Sequence, residues 1–449
     1  MIRMTLSRAA DAMNARYHGQ DVEFIGCSTD SRTLQKQNLF IAIKGENFDG
    51  HDFVSKAEAA GASSLLLQKN VEHVLPALTV DDTRKAMGKL ARAWREQLAI
   101  PLVAITGSNG KTTVKEMVKA ILANIADVHA TSGNLNNDIG VPLTLFALDQ
   151  HHRYAVIEMG ANHPGEIAWL SSIARPNVAV ITQCAPAHLE GFGSIDGVAS
   201  AKAEIYSGLG TSGTAIINAD DDYAEYWKAG SSVHKQCTFA IENTHADVRA
   251  LDITTVGDST EFTLLTRHGE IAIRLPLPGR HNVMNALAAA ACCISLGIEL
   301  MVIRKGLEQM QGVKGRLQIG KGYKGCRVID DTYNANPTSL AAAVNVLMSY
   351  PGKHVLVLGD MGELGDSSIA LHATAGKQAR VAGVDQLFTL GELSRHASAA
   401  FGDDEQHYVK VDKLTSALLD AIDETTTLLI KGSRSMKMER VVEKLLGGK

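Results

Sequence analysis

Hydrophobic positions along this 449-residue chain fall into short continuous apolar runs alternating with stripes of helical period, and the alternation recurs from end to end. Near the start, residues 39–43 and 64–67 read as short buried strands with a helix across 53–60 between them. Residues 81–99 then place Met87, Leu90, Ala91, Trp94 and Leu98 on one helical stripe, with Asp81 or Asp82 available as N-cap and Pro101 just beyond the end. Further apolar runs at 102–106, 154–158, 178–182 and 215–218 alternate with helical patterns, which predicts a mostly parallel sheet covered on both faces. The pattern turns β-rich between 233 and 275, and a strongly helical stretch begins at Gly279. After residues 312–315 the alternation resumes, with strands at 328–329, 355–358, 387–390 and 428–430 and helices at 338–349, 368–382, 412–423 and 436–446. The predicted class is α/β in three domains: a small α/β unit over 1–80, a central domain over 81–313 and a C-terminal, Rossmann-like α/β domain over 314–449.

Length supports that division, because a single hydrophobic core rarely grows beyond about 250–300 residues. Hydrophobic residues are 45% of the chain and charged ones 21%, ordinary for a globular protein. A net charge of −5 gives no general attraction to nucleic acid. No apolar run is long enough to span a bilayer, and the N-terminus lacks the apolar core and small-residue cleavage site of a secretory signal. The six cysteines form no CxxC pair, so neither a zinc ribbon nor a disulfide framework is expected, and a reducing cytoplasm fits best.

The segment LVAITGSNGKTT (102–113) changes the picture from architecture to chemistry. An apolar run ends in a glycine-punctuated loop, Gly107, Ser108, Asn109 and Gly110, followed by Lys111, Thr112 and Thr113. A helix then carries Val114, Met117, Val118, Ile121 and Leu122 on one face. Glycines let backbone N–H groups approach phosphate oxygens at the positive end of a helix. Lys111 would reach the β- and γ-phosphates and the Thr112 hydroxyl a Mg²⁺ ion. The usual first glycine of such a loop is replaced by Ile105, and a plain strand-to-helix turn is the bland alternative. Ligands of parallel sheets bind at the carboxyl ends of strands, which singles out Glu158 as a Mg²⁺ carboxylate. His188 lies beyond another strand end; Mg²⁺ prefers oxygen, so a hydrogen-bonding loop residue is the competing account. Lys202, in ASAKAEIY, would ordinarily be a solvated helix residue, although a neutral lysine can take up CO₂ as a carbamate, an anionic oxygen ligand.

TGSNGKTT, EMG at 158–160, the His188 segment, AKAEI around Lys202, GRHNVMNALAA from Gly279 and DDTYNANP at 330–337 together resemble the Mur ligase family over nearly the whole chain. The short TGxxGKT loop is the family's own, so Ile105 is no departure. NLNNDIGVPLTL (134–145) and DDTYNANPTS are similar to the branch that adds D-alanyl-D-alanine to UDP-N-acetylmuramoyl-tripeptide. The resemblance implies a carboxylate that attacks the γ-phosphate of ATP, an acyl phosphate, and amide formation with the dipeptide amine, within peptidoglycan precursor synthesis.

The resemblance also implies roles for residues. Thr112 and Glu158 would hold one Mg²⁺, with His188 and a carbamylated Lys202 at a second. His281 and Asn282 would lie at the adenine, and Arg316 and Asp331 would bring phosphate and ribose contacts from the third domain. Ser28, Ser31, Arg32, Phe48 and His51 would touch the nucleotide sugar. Asn134, Asn136 and Asn137, together with Asn334 and Asn336, would line the substrate side, and Lys431 and Arg434 the dipeptide or acyl phosphate. A monomer is the expected assembly. Two rivals stand beside this reading. One is a relative that adds a single amino acid to a UDP-muramyl peptide or to folate, although a folate enzyme should not need residues 1–80. The other is a nucleotide-dependent switch or binding module built on the same loop.

Overall fold

The computed structural model describes residues 1–402 and 406–447, so the last two residues of the expected third domain lie outside it. Three main sheets follow one another along the chain. The first has five strands in the order Arg16–His18, Ala77–Thr79, Ser64–Leu67, Leu39–Ile41 and Cys27–Ser28, parallel except for the first pair. The expected helix over 53–60 is Val54–Ala59, preceded by a tight turn at Gly50–Phe53 that Asp49 caps. Helix Thr83–Leu98 leads out of this unit. Of the two candidate caps, Asp82 is the one used, accepting from Lys85 N at 3.0 Å. Met87, Leu90, Ala91 and Trp94 are buried along the predicted stripe, and the Trp94 indole donates to Leu148 O.

The central sheet has nine strands. Val128–Ala130, Tyr154–Glu158, Leu102–Thr106, Val178–Ile181, Thr214–Asn218, Lys235–Ala240 and Val248–Val256 run parallel, and the antiparallel strands Ser259–Thr266 and Gly269–Leu275 extend the edge. Leu102, Val103, Ala104 and Ile105 are completely buried, as a strand covered on both faces must be. Helix Lys111–Leu122 lays Val114, Met117, Val118, Ile121 and Leu122 on the sheet, sharing a core with helix Arg280–Ser295. Each such aliphatic side chain stabilises the fold by about 1.5–3 kcal/mol relative to exposure, which gives the phosphate-loop candidate a rigid base.

The third sheet orders its strands Gln318–Lys321, Arg327–Asp331, Thr426–Lys431, Lys353–Gly359, Gln386–Leu390 and His407–Tyr408, parallel but for the first pair. The last helix begins at Glu439, three residues later than its apolar pattern predicts. Lys437 adopts a left-handed conformation (φ +50°) that separates the turn Arg434–Met436 from the helix proper. Among the described residues no helix is long and apolar enough to cross a membrane, and all six cysteines are free.

Candidate active site

The carboxyl ends of the parallel strands in the central and third sheets open into one cavity of about 1420 Å³. The loop between strand Leu102–Thr106 and helix Lys111–Leu122 forms its floor. Gly107 (φ +148°) and Gly110 (φ +82°) are both required there. A Cβ on Gly107 would lie 1.8 Å from Thr182 Oγ1, and one on Gly110 would lie 2.3 Å from Asn285 Oδ1. Thr182 Oγ1 also donates to Asn109 O at 2.5 Å, and Ser108 N donates to Gln183 O at 2.9 Å, so the neighbouring strand end holds the loop in shape. The Ser108 hydroxyl donates to Ala185 O and accepts from Ala185 N, both at 3.0 Å. Thr113 lies under the helix's first turn.

Lys111 Nζ donates to Gly107 O at 2.7 Å, curled back onto its own loop. Burial lowers its pKa, with Arg316 pressing in the same direction and Glu158 and Glu363 opposing. Thr112 Oγ1 donates to Glu158 Oε2 at 2.9 Å and accepts from Arg316 Nη2 at 3.2 Å. Glu158 is 3% exposed and accepts from Asn136 Nδ2 on its other oxygen at 2.9 Å. One hydroxyl and one oriented carboxylate, the latter on the cavity wall, are the donor set expected for Mg²⁺, which keeps several waters and uses phosphate oxygens beside one or two protein ligands. Among the described residues no three His, Cys, Asp or Glu side chains are grouped to cage a metal by themselves.

The third domain reaches across. Asn336 Nδ2 donates to Asn109 Oδ1 at 2.7 Å while its own carbonyl oxygen caps helix Pro337–Leu347. Arg316 stacks its guanidinium over Tyr333, 4.3 Å from the ring centroid, and its Nε is buried without a partner. Planar, pinned and directed at the loop, Arg316 is poised for a phosphate oxygen. Asp331 is paired with Lys431, whose Nζ also donates to Asn334 O at 2.9 Å. Lys431 is 2% exposed, so this structure commits its ammonium to orienting Asp331. Arg434 lines the cavity and pairs with Glu439 at 3.0 Å.

His281 and Asn282 open helix Arg280–Ser295 against the cavity, and Asn282 Nδ2 is anchored on Pro278 O at 2.8 Å. Burial pushes His281 down from its ordinary 6.5 to about 4, against the pull of Asp331. The folded chain therefore keeps His281 neutral where the unfolded chain protonates it. Unfolding takes up protons between those two values, so stability is lost as pH falls through that window. In His281→Asn the dependence of the urea midpoint on pH should flatten across the window; an unchanged slope would place the acid sensitivity elsewhere.

His188 caps a short helix in a left-handed conformation (φ +53°), with Nδ1 2.7 Å from Glu363 Oε2. Lys202 is 2% exposed, and its amine faces the Phe192 ring at 5.7 Å. Burial and the charge of Lys111 lower its pKa to about 7, so a neutral amine is accessible.

Not every expected residue joins this site. His51 is turned into the first unit and 3% exposed; its Nδ1 meets Asp49 Oδ1 at 2.6 Å and its Nε2 accepts from Gln68 N at 3.0 Å. Both ring nitrogens are consumed in bracing the loop, which corrects the expectation of a sugar contact. Asn134 and Asn137, by contrast, do line the cavity; Asn137 also caps helix Gly140–Phe146 through Gly140 N at 2.8 Å, and Asn134 is exposed on the same loop. Ser28, Ser31, Arg32 and Phe48 lie outside the cavity wall. Ser28 is spent on a turn with Asp30, which also pairs with Arg32, while Phe48 is 75% exposed. Among the cavity residues that escaped sequence reasoning are Thr182, Asn285 and Glu363. Asn285 stands within the quoted GRHNVMNALAA and Glu363 within GDMGELG, so spacing alone carried the available signal.

A glycine loop at a helix N-terminus, with a carboxylate beside it and an arginine brought over from another sheet, defines a multidomain α/β nucleotide-using enzyme whose site is completed between domains. Comparison with known proteins narrows the class. Family profiles match residues 22–95 (Mur ligase family, catalytic domain), 105–293 (Mur ligase middle domain) and 315–434 (Mur ligase, glutamate ligase domain). The chain is 46% identical over 446 residues to UDP-N-acetylmuramoyl-tripeptide–D-alanyl-D-alanine ligase of Escherichia coli K12, covering 99% of each chain. A crystal structure of MurF from Acinetobacter baumannii superposes with a TM-score of 0.94 at 38% identity, over 99% of both chains. That of MurF ligase from Thermotoga maritima in complex with ADP gives 0.83 at 26% identity, over 93% of this chain and 96% of the other. The chain belongs to the Mur ligase family.

Proposed function

We propose that this chain is an ATP-dependent, ADP-forming ligase that joins D-alanyl-D-alanine to UDP-N-acetylmuramoyl-tripeptide in peptidoglycan precursor synthesis. The full-length relatives named for that reaction support the substrates. The observation that carries the chemistry is the shared Thr112 hydroxyl, held by Glu158 from its own domain and met by Arg316 from the next.

In the first step an oxygen of the tripeptide carboxylate bonds to the γ-phosphorus and the bond to the β,γ-bridging oxygen breaks, giving an acyl phosphate and ADP. In the second, the dipeptide nitrogen bonds to the acyl carbon and phosphate leaves. Activation is needed because oxide is a poor leaving group from a carboxylate and phosphate a good one. The loop N–H groups and the helix N-terminus hold the phosphates, Lys111 exchanges Gly107 O for a γ-phosphate oxygen, and Arg316 adds charge from the opposite side. Thr112 and Glu158 would hold magnesium, which supplies charge neutralisation where two anions must meet. His188 and Lys202, the latter as a carbamate, are the groups we assign to a second magnesium. His281 and Asn282 are assigned to adenine, Asp331 to ribose, and Asn134, Asn136, Asn334 and Arg434 to the substrate side. Residues 1–80 are assigned to the nucleotide sugar, through Ser31, Arg32 and the exposed Phe48; 81–313 to ATP; and 314–449 to completing the ATP and dipeptide sites. A monomer working in the cytoplasm is the assembly and location we propose, a reading that free cysteines and an ATP requirement support.

Phosphate release from ATP should require UDP-N-acetylmuramoyl-tripeptide and D-alanyl-D-alanine together, with the pentapeptide product seen by mass spectrometry. Turnover with single amino acids, or nucleotide hydrolysis without an amide product, would instead favour one of the two rivals.

A further inference from the structure

Among the charged groups on the cavity wall that the mechanism above leaves unused is Glu363. Glu363 lies between strand Lys353–Gly359 and helix Ser368–Ala382, in the loop GDMGELG. Its backbone is left-handed (φ +61°) although it is not glycine, a conformation that side chains adopt only where the surroundings impose it and that gathers at functional sites. Its carboxylate approaches His188 Nδ1, and His188 is left-handed as well, so two uncommon backbone conformations meet across the boundary between the central and third domains. The Glu363 side chain remains 55% exposed and lines the cavity. A half-exposed glutamate is ionised at neutral pH, and Glu363 lines the same cavity as Lys111.

The position is chemically pointed. Lys111 marks the γ-phosphate end of the ATP site, which is where an acyl phosphate forms. An anion of the third domain beside that place repels phosphate and attracts a cation. Of the groups that react there, the incoming nucleophile is the one that brings a cation, its terminal ammonium. The Glu363 loop abuts the loop bearing Arg434: Ser433 N donates to Asp360 O at 2.9 Å, and a Cβ on Gly362 would lie 3.6 Å from Ser433 Cβ.

We infer that Glu363 receives the α-ammonium of the dipeptide and sets its nitrogen against the acyl carbon. This rests on the ligase reading above and assigns a recognition group to its second step. In that step the nitrogen bonds to the acyl carbon and the bond to phosphate oxygen breaks, the electron pair leaving on phosphate. Of the ammonium's two surplus protons, one departs on phosphate and one goes to water.

The test compares nucleophiles in the full-length enzyme. Hydroxylamine, uncharged in mildly alkaline buffer, intercepts acyl phosphates as hydroxamates without offering an ammonium. Glu363→Gln should raise KM for D-alanyl-D-alanine at least about tenfold, while KM for ATP and the rate of hydroxamate formation stay within about twofold, and Glu363→Asp should recover part of the dipeptide affinity. An unchanged dipeptide KM, or equal losses with dipeptide and hydroxylamine, would overturn the inference and leave Glu363 as a brace for His188. If the parent enzyme forms hydroxamate but never an amide with the dipeptide, the ligase reading itself fails, a result separate from any effect of the substitution.

Discussion

Lys111→Ala is expected to lower kcat by at least about 100-fold, the usual scale for removing one preorganised charge from a transferring group. Lys111 stands at the first turn of a helix whose whole inner face is buried, so its position is fixed from below. Its ammonium rests on Gly107 O and can exchange that oxygen for a more highly charged phosphate oxygen without moving the loop. Charge on the transferring phosphoryl group and its leaving oxygen shifts during transfer, so the loss should appear in kcat more than in KM for ATP. Lys111→Arg should not restore the rate, because a planar fork cannot replace a compact point charge between Glu158 and the loop. Stability should change by only about 1 kcal/mol, since Gly107 O can turn to cavity water. Steady-state phosphate release beside a thermal midpoint checks both statements; near-normal turnover would remove Lys111 from its assigned role.

Lys202→Ala is the second large effect. A lysine amine buried against Phe192, beside the like charge of Lys111, is poorly suited to remaining an ammonium. Its neutral nitrogen can bond to the carbon of CO₂ and release a proton, converting a cation into an anionic oxygen ligand. Loss of that ligand should cost about 100-fold in kcat, at the upper end of what supporting groups of a metal site contribute. Formate or acetate, small enough to enter the space left by the side chain, should restore part of the rate. Carbon-13 NMR under labelled CO₂ gives a readout apart from turnover: a carbamate signal in the parent and none in the variant. An unimpaired Lys202→Ala enzyme would remove the carbamate.

What the sequence disclosed follows from how local each feature is. The phosphate loop was legible because its strand, glycines, lysine and helix are contiguous, and Glu158 because it ends an unmistakable apolar run. Arg316 could be singled out only through family resemblance, since nothing in its neighbourhood says that it crosses to Thr112, and Asp331 likewise, since its pairing with Lys431 spans 100 residues. Thr182, Asn285 and Glu363 were hidden for a related reason. Each acts on a residue distant in sequence: Gly107 and Asn109, Gly110, and His188 respectively. His51 shows the opposite error. A histidine in a turn rich in Asp, Asn and Gly looks available, and only the packing shows both nitrogens consumed by Asp49 and Gln68. The late start of the last helix has a comparable origin, because apolar periodicity does not register a single left-handed residue such as Lys437.

The contact between Gly107 and Thr182 has a bearing on drug resistance. The threonine hydroxyl occupies the space that any side chain at 107 would need, and that hydroxyl is itself engaged by Asn109 O. A single substitution at Gly107 collides with Thr182, and shrinking Thr182 to make room withdraws a support of the loop. An inhibitor packed against the backbone at 107 would thus press on a surface that a single substitution at 107 cannot reshape without meeting Thr182.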